Sequence, residues 1–542
     1  MNILLINHYA GSVHHGMEYR PYYLAREWVR RGHRVHIVAA SCSHLRRQAP
    51  PLGDGAWSEE NIDGIHYIWL HTPPYRGNGA ARVRNMLAFV ARLWQDSARL
   101  ARSAAPNAVI ASSTYPLDIW PAHRIARLAG ARLVHEVHDL WPLSPIELGG
   151  YSRCHPFIML LQAAENHACR HADAIVSILP KVREHLQARG MARHKLHIVP
   201  NGVDPDEWPV TSYSPMSIAP GQAPTNLPAA KVDPNISTTS AATGMPRRAT
   251  TAAPATTTSQ RKEVPANDGA AMAAGMIAAA AASSMSAATI SRTGAALPTS
   301  ASSAALGKAP AALSDAGRTP ASRQVKAAQP ASPNTTPPLT QLLPELALLL
   351  SRLLESGKTV VAYTGSHGIA NALDTLLDAA RLLHDQPLAF VLVGAGPEKE
   401  RLQQKAQRRD LPQVHFAAPV AKRQMPALLA NVDIAFLGWR RQPLYRFGIA
   451  PNKLLDYMMA GCPVLHAVDA GNDPVAEAGC GVSVAPDDPA ALAHGLLRLL
   501  ALGPERRRAL GARGRQYALD HFTYPVLAQR FLDVLAQELP HG

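Results

Sequence analysis

Residues 447–464, FGIAPNKLLDYMMAGCPV, read as a loop, a short helix and a Gly-Cys-Pro-Val turn into a buried strand. A helix that starts at Asn452 or Lys453 directs its unbonded backbone N–H groups and its positive dipole end at whatever lies before it, which makes an anion site. Lys453 adds a full cation, and Asp456 follows one turn on, on the same face. An acid there can accept both hydroxyls of a ribose while the lysine and the helix end hold phosphates. An amphipathic helix feeding a core strand gives the same pattern, so the rest of the chain must separate the two readings.

On either side of this stretch apolar strands alternate with helical patterns. ILLIN, HRVHIVAA, GIHYIWL, AVIASS, RLVHEVHD, DAIVSIL and KLHIVP are strand candidates within 1–209, with helices expected over 22–31, 82–102 and 159–172. TVVAYTG, AFVLVGAG, QVHFAA, VDIAFLG, PVLHAV and GVSVA repeat the rhythm within 341–516, with helices at 373–383 and 397–408. Such alternation predicts parallel sheets with helices on both faces. Between the two parts, 210–340 turns to Ala, Thr, Ser and Pro, loses its aromatics after Tyr213 and keeps no periodicity. That composition predicts a disordered insertion, either an inert tether or a mildly basic arm. The end, 517–539, reads as a helix broken near Thr523-Tyr524-Pro525 that packs back on the first domain. The expected class is α/β: two doubly wound Rossmann-like domains facing a cleft, with ligands at the carboxyl ends of both sheets.

The net charge of +14 suits an anionic partner, be it a phosphorylated substrate, an anionic membrane surface or nucleic acid. No interleaved aromatic or groove-reading element supports nucleic acid. Five cysteines, odd in number and without paired spacing, point away from a disulfide framework and toward a reducing compartment. The opening MNILLINHYAG lacks a charged leader, and no apolar run reaches the roughly 20 residues of a spanning helix. A cytoplasmic protein is expected, on or near the inner face of the plasma membrane. Within 79–102, five arginines flank Met86, Val90, Leu93, Trp94 and Leu100. This suits a helix resting on an anionic bilayer and equally an ordinary outer helix with its apolar face in the core.

Several strand ends carry candidate chemistry. Gly11 and Gly16 follow the first strand, where a backbone can approach phosphate, and Glu18 and Arg20 open the next helix near the cleft. His138 ends RLVHEVHD, with Asp139 beside it, in position to meet a sugar hydroxyl or a phosphate oxygen. Gly394 and Gly396 follow AFVLV, and Pro419-Val420 follows QVHFA. The Cys154, His155, His167, Cys169 and His171 group fits no standard zinc spacing, and no metal is expected.

The opening segment, HDLWP, PNGVD, VGAGPEKERL and PNKLLDYMMAGCPV, in that order, resemble the GT-B-fold family 4 (group 1) glycosyltransferases, specifically the WbuB-like group of surface-polysaccharide assembly enzymes. The resemblance covers about 1–209 and 357–531. It implies a retaining transfer of a hexosyl or N-acetylhexosaminyl unit from a nucleoside diphosphate sugar, UDP-linked, to a polyprenyl-diphosphate-linked saccharide. It implies no cofactor and no catalytic metal. Asp456 would hold the ribose, Lys453 and Asn452 the diphosphate end, and Gly394, Gly396, Pro419 and Val420 the base. Gly16 would lie at the phosphates and His138 at the sugar, with Glu18, Arg20 and Asp139 toward the acceptor. Two positions depart from the family pattern. The acid usual eight residues before Asp456 is Gly448, and the basic pair usual after the first strand of the second domain is missing from TGSHGIANALDTLL. Arg446 or Arg440 could assist Lys453 there. A UDP-GlcNAc 2-epimerase-like enzyme and a non-catalytic polysaccharide-assembly scaffold are the alternatives.

Overall fold

The computed structural model describes residues 1–53, 55–77, 79–208 and 339–537. The insertion expected at 210–340 lies outside the described residues but for its last two positions. The apolar runs form strands because helices cover both faces of each sheet, so both faces of each strand can be buried. The first sheet runs β3-β4-β2-β1-β5-β6-β7-β8: β1 Asn2–Ile6, β2 Arg34–Ala40, β3 Trp57–Ile62, β4 Ile65–Leu70, β5 Ala108–Ala111, β6 Arg132–Val137, β7 Ala174–Ser177 and β8 Leu196–Ile198. The second runs β11-β10-β9-β12-β13-β14: β9 Thr359–Thr364, β10 Leu388–Val393, β11 Val414–Ala417, β12 Ile434–Gly438, β13 Val464–Ala467 and β14 Gly481–Ser483. Every pairing is parallel except β3 with β4.

Strand β3, WSEENI, escapes the sequence reading because its acids sit on an exposed edge. Its turn was legible: Asp63 and Gly64, both at positive φ (52° and 80°), make the two-residue hairpin that Asp-Gly favours. The helix expected over 82–102 is two helices, Ala80–Gln95 and Ser97–Ala104, which part at Asp96.

The chain crosses between the domains twice at one place. Val203 pairs in parallel with Thr523; the Val203 N–H donates to the Phe522 carbonyl (2.9 Å), and the Tyr524 N–H donates to the Val203 carbonyl (3.0 Å). The Tyr524–Ala536 helix then lies on the first sheet beside the Arg20–Arg30 helix. Trp28, fully buried, donates Nε1–H to the Ala528 carbonyl (3.2 Å) and meets Phe531 edge-on at 5.3 Å.

The cleft is held together on the side of the 447–450 loop. The Lys181 N–H donates to the Phe447 carbonyl (2.9 Å), Asn201 Nδ2 donates to the Ala450 carbonyl (2.8 Å), and Arg446 makes a two-point ion pair with Glu147 (2.6 and 2.8 Å). Arg446 thus ties the domains together in this arrangement. Gly448 explains the first departure from the family pattern. Its φ is +96°, and a Cβ there would lie 2.5 Å from Pro180 Cδ and 2.9 Å from Asn472 Oδ1. A carboxylate at this position would collide with the first domain. Gly448→Ala should therefore destabilise the protein by at least about 1 kcal/mol and loosen the cleft. A lower Tm together with a larger radius of gyration in X-ray scattering is the expected result, and no change in either would refute the account.

Candidate active site

The first domain contributes a buried chain of polar groups ending at His138. Glu136, on β6, is 1% exposed and accepts from Arg20 Nε (3.0 Å) and Nη2 (2.9 Å). Its other oxygen accepts from Ser112 Oγ (2.6 Å) and lies 3.2 Å from His138 Nε2, which is also 2.9 Å from Ser112 Oγ. Burial by itself would raise the Glu136 carboxyl, but Arg20 and His138 pull it well below the ordinary carboxylate range. His138 therefore commits Nε2 inward and leaves its Nδ1 edge for the cavity that it lines.

That cavity, about 140 Å³, lies between the domains. Tyr9, Glu18 and His138 line it from the first domain, and Tyr445, Gly448 and Pro451 from the second. The Asn452–Met459 helix starts there, with Pro451 as its cap residue and the half-buried Asn452 as its first position. Glu18 is half-buried, and burial raises its carboxyl above the usual range.

Two groups expected toward the acceptor also make internal contacts. Arg20 is 2% exposed, and besides Glu136 it donates to the carbonyls of Val199 (2.9 Å) and Pro200 (2.5 Å). It ties the His138 network to the crossover segment, so it positions the site from within. Asp139 accepts from Ser144 Oγ (2.6 Å), the Leu140 N–H (2.8 Å) and Trp141 Nε1 (3.1 Å). Its carboxylate pins the 139–144 turn at the cavity wall.

In the second domain Lys453 is 3% exposed. Its Nζ donates to Tyr363 Oη (2.9 Å) and Asn371 Oδ1 (3.0 Å) and sits 4.5 Å over the Tyr363 ring. Among the described residues no carboxylate lies within ion-pair distance of it, and burial lowers its pKa to about 7. Asp456 is 1% exposed. Its Oδ1 accepts from Lys422 Nζ (2.7 Å), while its Oδ2 is buried with no partner among the described residues. Lys422 also lies 3.8 Å from Glu207, which accepts from Tyr23 of the first domain. Arg440 lies 3.6 Å from Asp374.

Gly394 and Gly396 are required by a close approach of the chain to itself. A Cβ on Gly394 would fall 1.8 Å from the Gly365 carbonyl oxygen, and one on Gly396 2.5 Å from that of His367. Gly16 is favoured instead by its positive φ of +90°, since a Cβ there would lie 3.3 Å from the Arg47 backbone N, a tight contact rather than an overlap. Val420 is buried in the core of the second domain, and Pro419 is half-buried at the end of β11. His167 and His171 stack at 4.1 Å beside His123, and among the described residues no group of three or more His, Cys, Asp or Glu could hold a metal ion.

Sequence reasoning missed Ser112, Glu136, Lys422 and His367. Glu136 carried a signal, an acid inside an otherwise apolar strand. His367 is fully buried, neither ring nitrogen has a partner among the described residues, and burial beside Lys399 and Lys453 lowers its pKa to about 4.

With this geometry in view, comparison with known proteins is informative. A family model described as "Glycosyl transferase 4-like domain" matches residues 15–202, and one described as "Glycosyl transferases group 1" matches 358–502. The putative colanic acid biosynthesis glycosyl transferase WcaI of Escherichia coli K12 is 29% identical over 153 residues, which is 28% of this chain and 37% of that protein. The match thus spans well under half of that relative. Among solved structures, a sucrose-phosphate synthase from Thermosynechococcus elongatus aligns with a TM-score of 0.55 at 13% identity, over 98% of this chain and 97% of that one. Anabaena HepE in complex with UDP and glucose gives 0.52 at 13% identity, and WaaG, a glycosyltransferase involved in lipopolysaccharide biosynthesis, gives 0.51 at 13%; each covers 99% of this chain and all of the other. At such identities the structural likeness establishes the fold. Matched in both halves by the two family models, and built on two doubly wound domains that enclose a cleft, the chain belongs to the GT-B-fold, group 1 (family 4) glycosyltransferases.

Proposed function

We propose that the enzyme is a retaining transferase that moves a hexosyl or N-acetylhexosaminyl unit from a UDP-sugar to a polyprenyl-diphosphate-linked saccharide. The reaction would serve surface-polysaccharide biosynthesis such as O-antigen assembly, in the cytoplasm at the inner face of the plasma membrane. Lys453 carries this reading. A buried ammonium without a carboxylate partner, beside a helix N-terminus, is a site that needs an anion from outside. A leaving UDP supplies it, and the same groups stabilise the diphosphate as its charge grows. The unpartnered Asp456 Oδ2 suits a ribose hydroxyl once Lys422 gives way. His138, oriented by Glu136 and Ser112, can present its Nδ1 edge to the transferred sugar. Front-side attack, in which the leaving phosphate takes the acceptor proton, needs no protein nucleophile, no metal and no cofactor. The donor class is supported by the UDP and glucose held by HepE, and the pathway by the processes named for WcaI and WaaG.

Calorimetric titration of UDP, GDP and ADP into the protein and into Asp456→Ala tests it. Selective UDP binding, weakened roughly tenfold or more by the variant, is expected. Absence of nucleotide binding would overturn it in favour of a scaffold. Conversion of UDP-GlcNAc without any acceptor would instead make the enzyme an epimerase.

A further inference from the structure

The interdomain cavity has two unlike walls. The second-domain wall is aromatic and apolar, with the Trp439 and Tyr445 ring centroids 5.0 Å apart and Leu444 and Ile449 beside them. Among the described residues Tyr445 carries the one side-chain hydroxyl on that wall, and burial pushes its pKa up to about 12, so it stays protonated. Trp439 Nε1 can only donate. Gly448 adds no side chain, and Pro180 leaves no room for one. Such a wall suits the C–H face of a sugar ring. A sugar hydroxyl that needs a charged acceptor must find it on the first domain.

Among the described lining residues the carboxylates are Glu18 and Asp139, both of the first domain. Asp139 is fully engaged: Oδ1 accepts from the Leu140 N–H and Ser144 Oγ, and Oδ2 from Trp141 Nε1. Glu18 differs. Its carboxylate accepts from the Arg20 backbone N–H and, among the described residues, from no side chain. Burial pushes its pKa up, and the His138 ring is the charge that opposes this most. A carboxylate that has lost water and gained one hydrogen bond is short of donors. The backbone also holds Glu18 in place. Its N–H donates to the Tyr9 carbonyl (3.3 Å), and the Gly11 N–H donates to the Glu18 carbonyl (2.9 Å). A Cβ on Gly11 would fall 1.7 Å from the Gly16 carbonyl oxygen, so the turn that carries Glu18 closes only with glycine there. A group held in this way loses little freedom when it binds a ligand.

We infer that the Glu18 carboxylate accepts a hydrogen bond from a hydroxyl of the transferred sugar, beside His138, and so helps to select the donor. The resemblance set Glu18 toward the acceptor instead. The cavity adjoins the start of the Asn452–Met459 helix, so the part of a UDP-sugar that extends beyond the diphosphate into it is the sugar ring. The ring would lie between the Trp439–Tyr445 wall and the Glu18–His138 pair. A charged acceptor without another side-chain donor holds a hydroxyl tightly. It also disfavours a ligand that lacks the hydroxyl, because the carboxylate then stays unpaired. The inference rests on the nucleotide-sugar donor proposed above.

The test is calorimetry of the full chain, parent, Glu18→Gln and Glu18→Ala, with UDP, UDP-glucose, UDP-galactose, UDP-N-acetylglucosamine and UDP-N-acetylgalactosamine. The sugar that matters is the one that makes the parent bind its nucleotide more tightly than UDP. For that UDP-sugar, Glu18→Ala should lose about 10- to 100-fold in affinity and Glu18→Gln about tenfold, while UDP itself stays within about twofold of the parent. Hydrolysis of the same donor without any acceptor should slow in both variants. Should Glu18→Ala fail to fold, the isosteric Glu18→Gln carries the comparison. Variants that bind every ligand like the parent, and only raise KM for a lipid-linked acceptor, would overturn the inference and return Glu18 to the acceptor. Equal losses for UDP and UDP-sugar would overturn it by making Glu18 a structural support. So would a parent that binds none of these sugars more tightly than UDP. Any of these with UDP binding intact in the parent removes the role of Glu18 alone; a parent that binds no UDP removes the donor reading itself.

Discussion

Lys453→Met is expected to weaken UDP binding by about 10- to 100-fold, the scale of a lost charge-assisted contact, while raising the melting temperature at pH 6. The two effects have one cause. The Lys453 ammonium is buried against Tyr363 and Asn371, with no carboxylate beside it among the described residues, and its pKa falls to about 7. A lysine whose pKa is lower folded than unfolded binds fewer protons folded between those two values, so stability rises with pH across that window. The penalty is full below about pH 7 and fades toward the ordinary lysine value of 10.5. Methionine has a similar volume and carries no charge, so its gain in Tm should be largest at and below neutrality and should shrink in alkali. A bound diphosphate reverses the burial effect and pushes the lysine pKa back up. UDP binding near pH 8 should therefore take up a proton, and affinity should fall as pH rises above about 7. Calorimetry in buffers of different ionisation enthalpy reads this uptake directly; it should be present in the parent and absent in the variant. Unchanged UDP affinity in Lys453→Met would sink the assignment.

Arg20→Ala should cost about 3–5 kcal/mol of stability, the range for removing one partner of a buried ion pair. Glu136 would keep its buried charge with only Ser112 and His138 for company. In the parent the Glu136 carboxyl is held well below its ordinary value, so it contributes stability above the unfolded value near 4.5 and loses it as pH falls. In the variant burial prevails and the folded pKa rises above the unfolded one, so the carboxyl is most costly at neutral pH and less so as acid protonates it. The gap in Tm between parent and variant should therefore narrow from pH 7 to pH 5. Transfer activity should drop as well, since the same carboxylate orients His138 and the same guanidinium holds the crossover segment at Val199 and Pro200. Arg20→Met/Glu136→Leu supplies the control: stability should return in large part and activity should not. A Tm gap that does not change with pH would remove Glu136 from the account.

Much of the fold was legible in local pattern. Runs such as AFVLV and RLVHEV can only be strands buried on both faces, and the helices between them force a parallel sheet. The edge strand WSEENI was hidden because an edge strand has no need of a continuous apolar run, and only its Asp-Gly turn marked it. The break at Asp96 was hidden by an apolar period that continues across it. In the site, the pattern found residues at strand ends and helix starts, such as His138, Lys453 and Asp456. It could not find Ser112 or Lys422, which reach their partners across 26 and 34 residues of sequence. Nor could it distinguish Arg20 and Asp139 as inward supports, because a side chain's direction at a loop depends on what packs behind it.

The sequence by itself determined two α/β domains, the strand ends that face the cleft, and a helix N-terminus with a lysine and an acid on it. These follow from periodicity and from the chemistry of single residues, which neighbours in the chain are enough to express. Only the tertiary structure decided that Lys453 has no carboxylate beside it among the described residues, that Gly448 must be glycine because Pro180 lies against it, and that Arg20 serves His138 through Glu136. Those are statements about burial and about partners far apart in the chain. The free energy of a charge depends on how much water it has lost and on which groups replace that water, and the folded packing alone sets both.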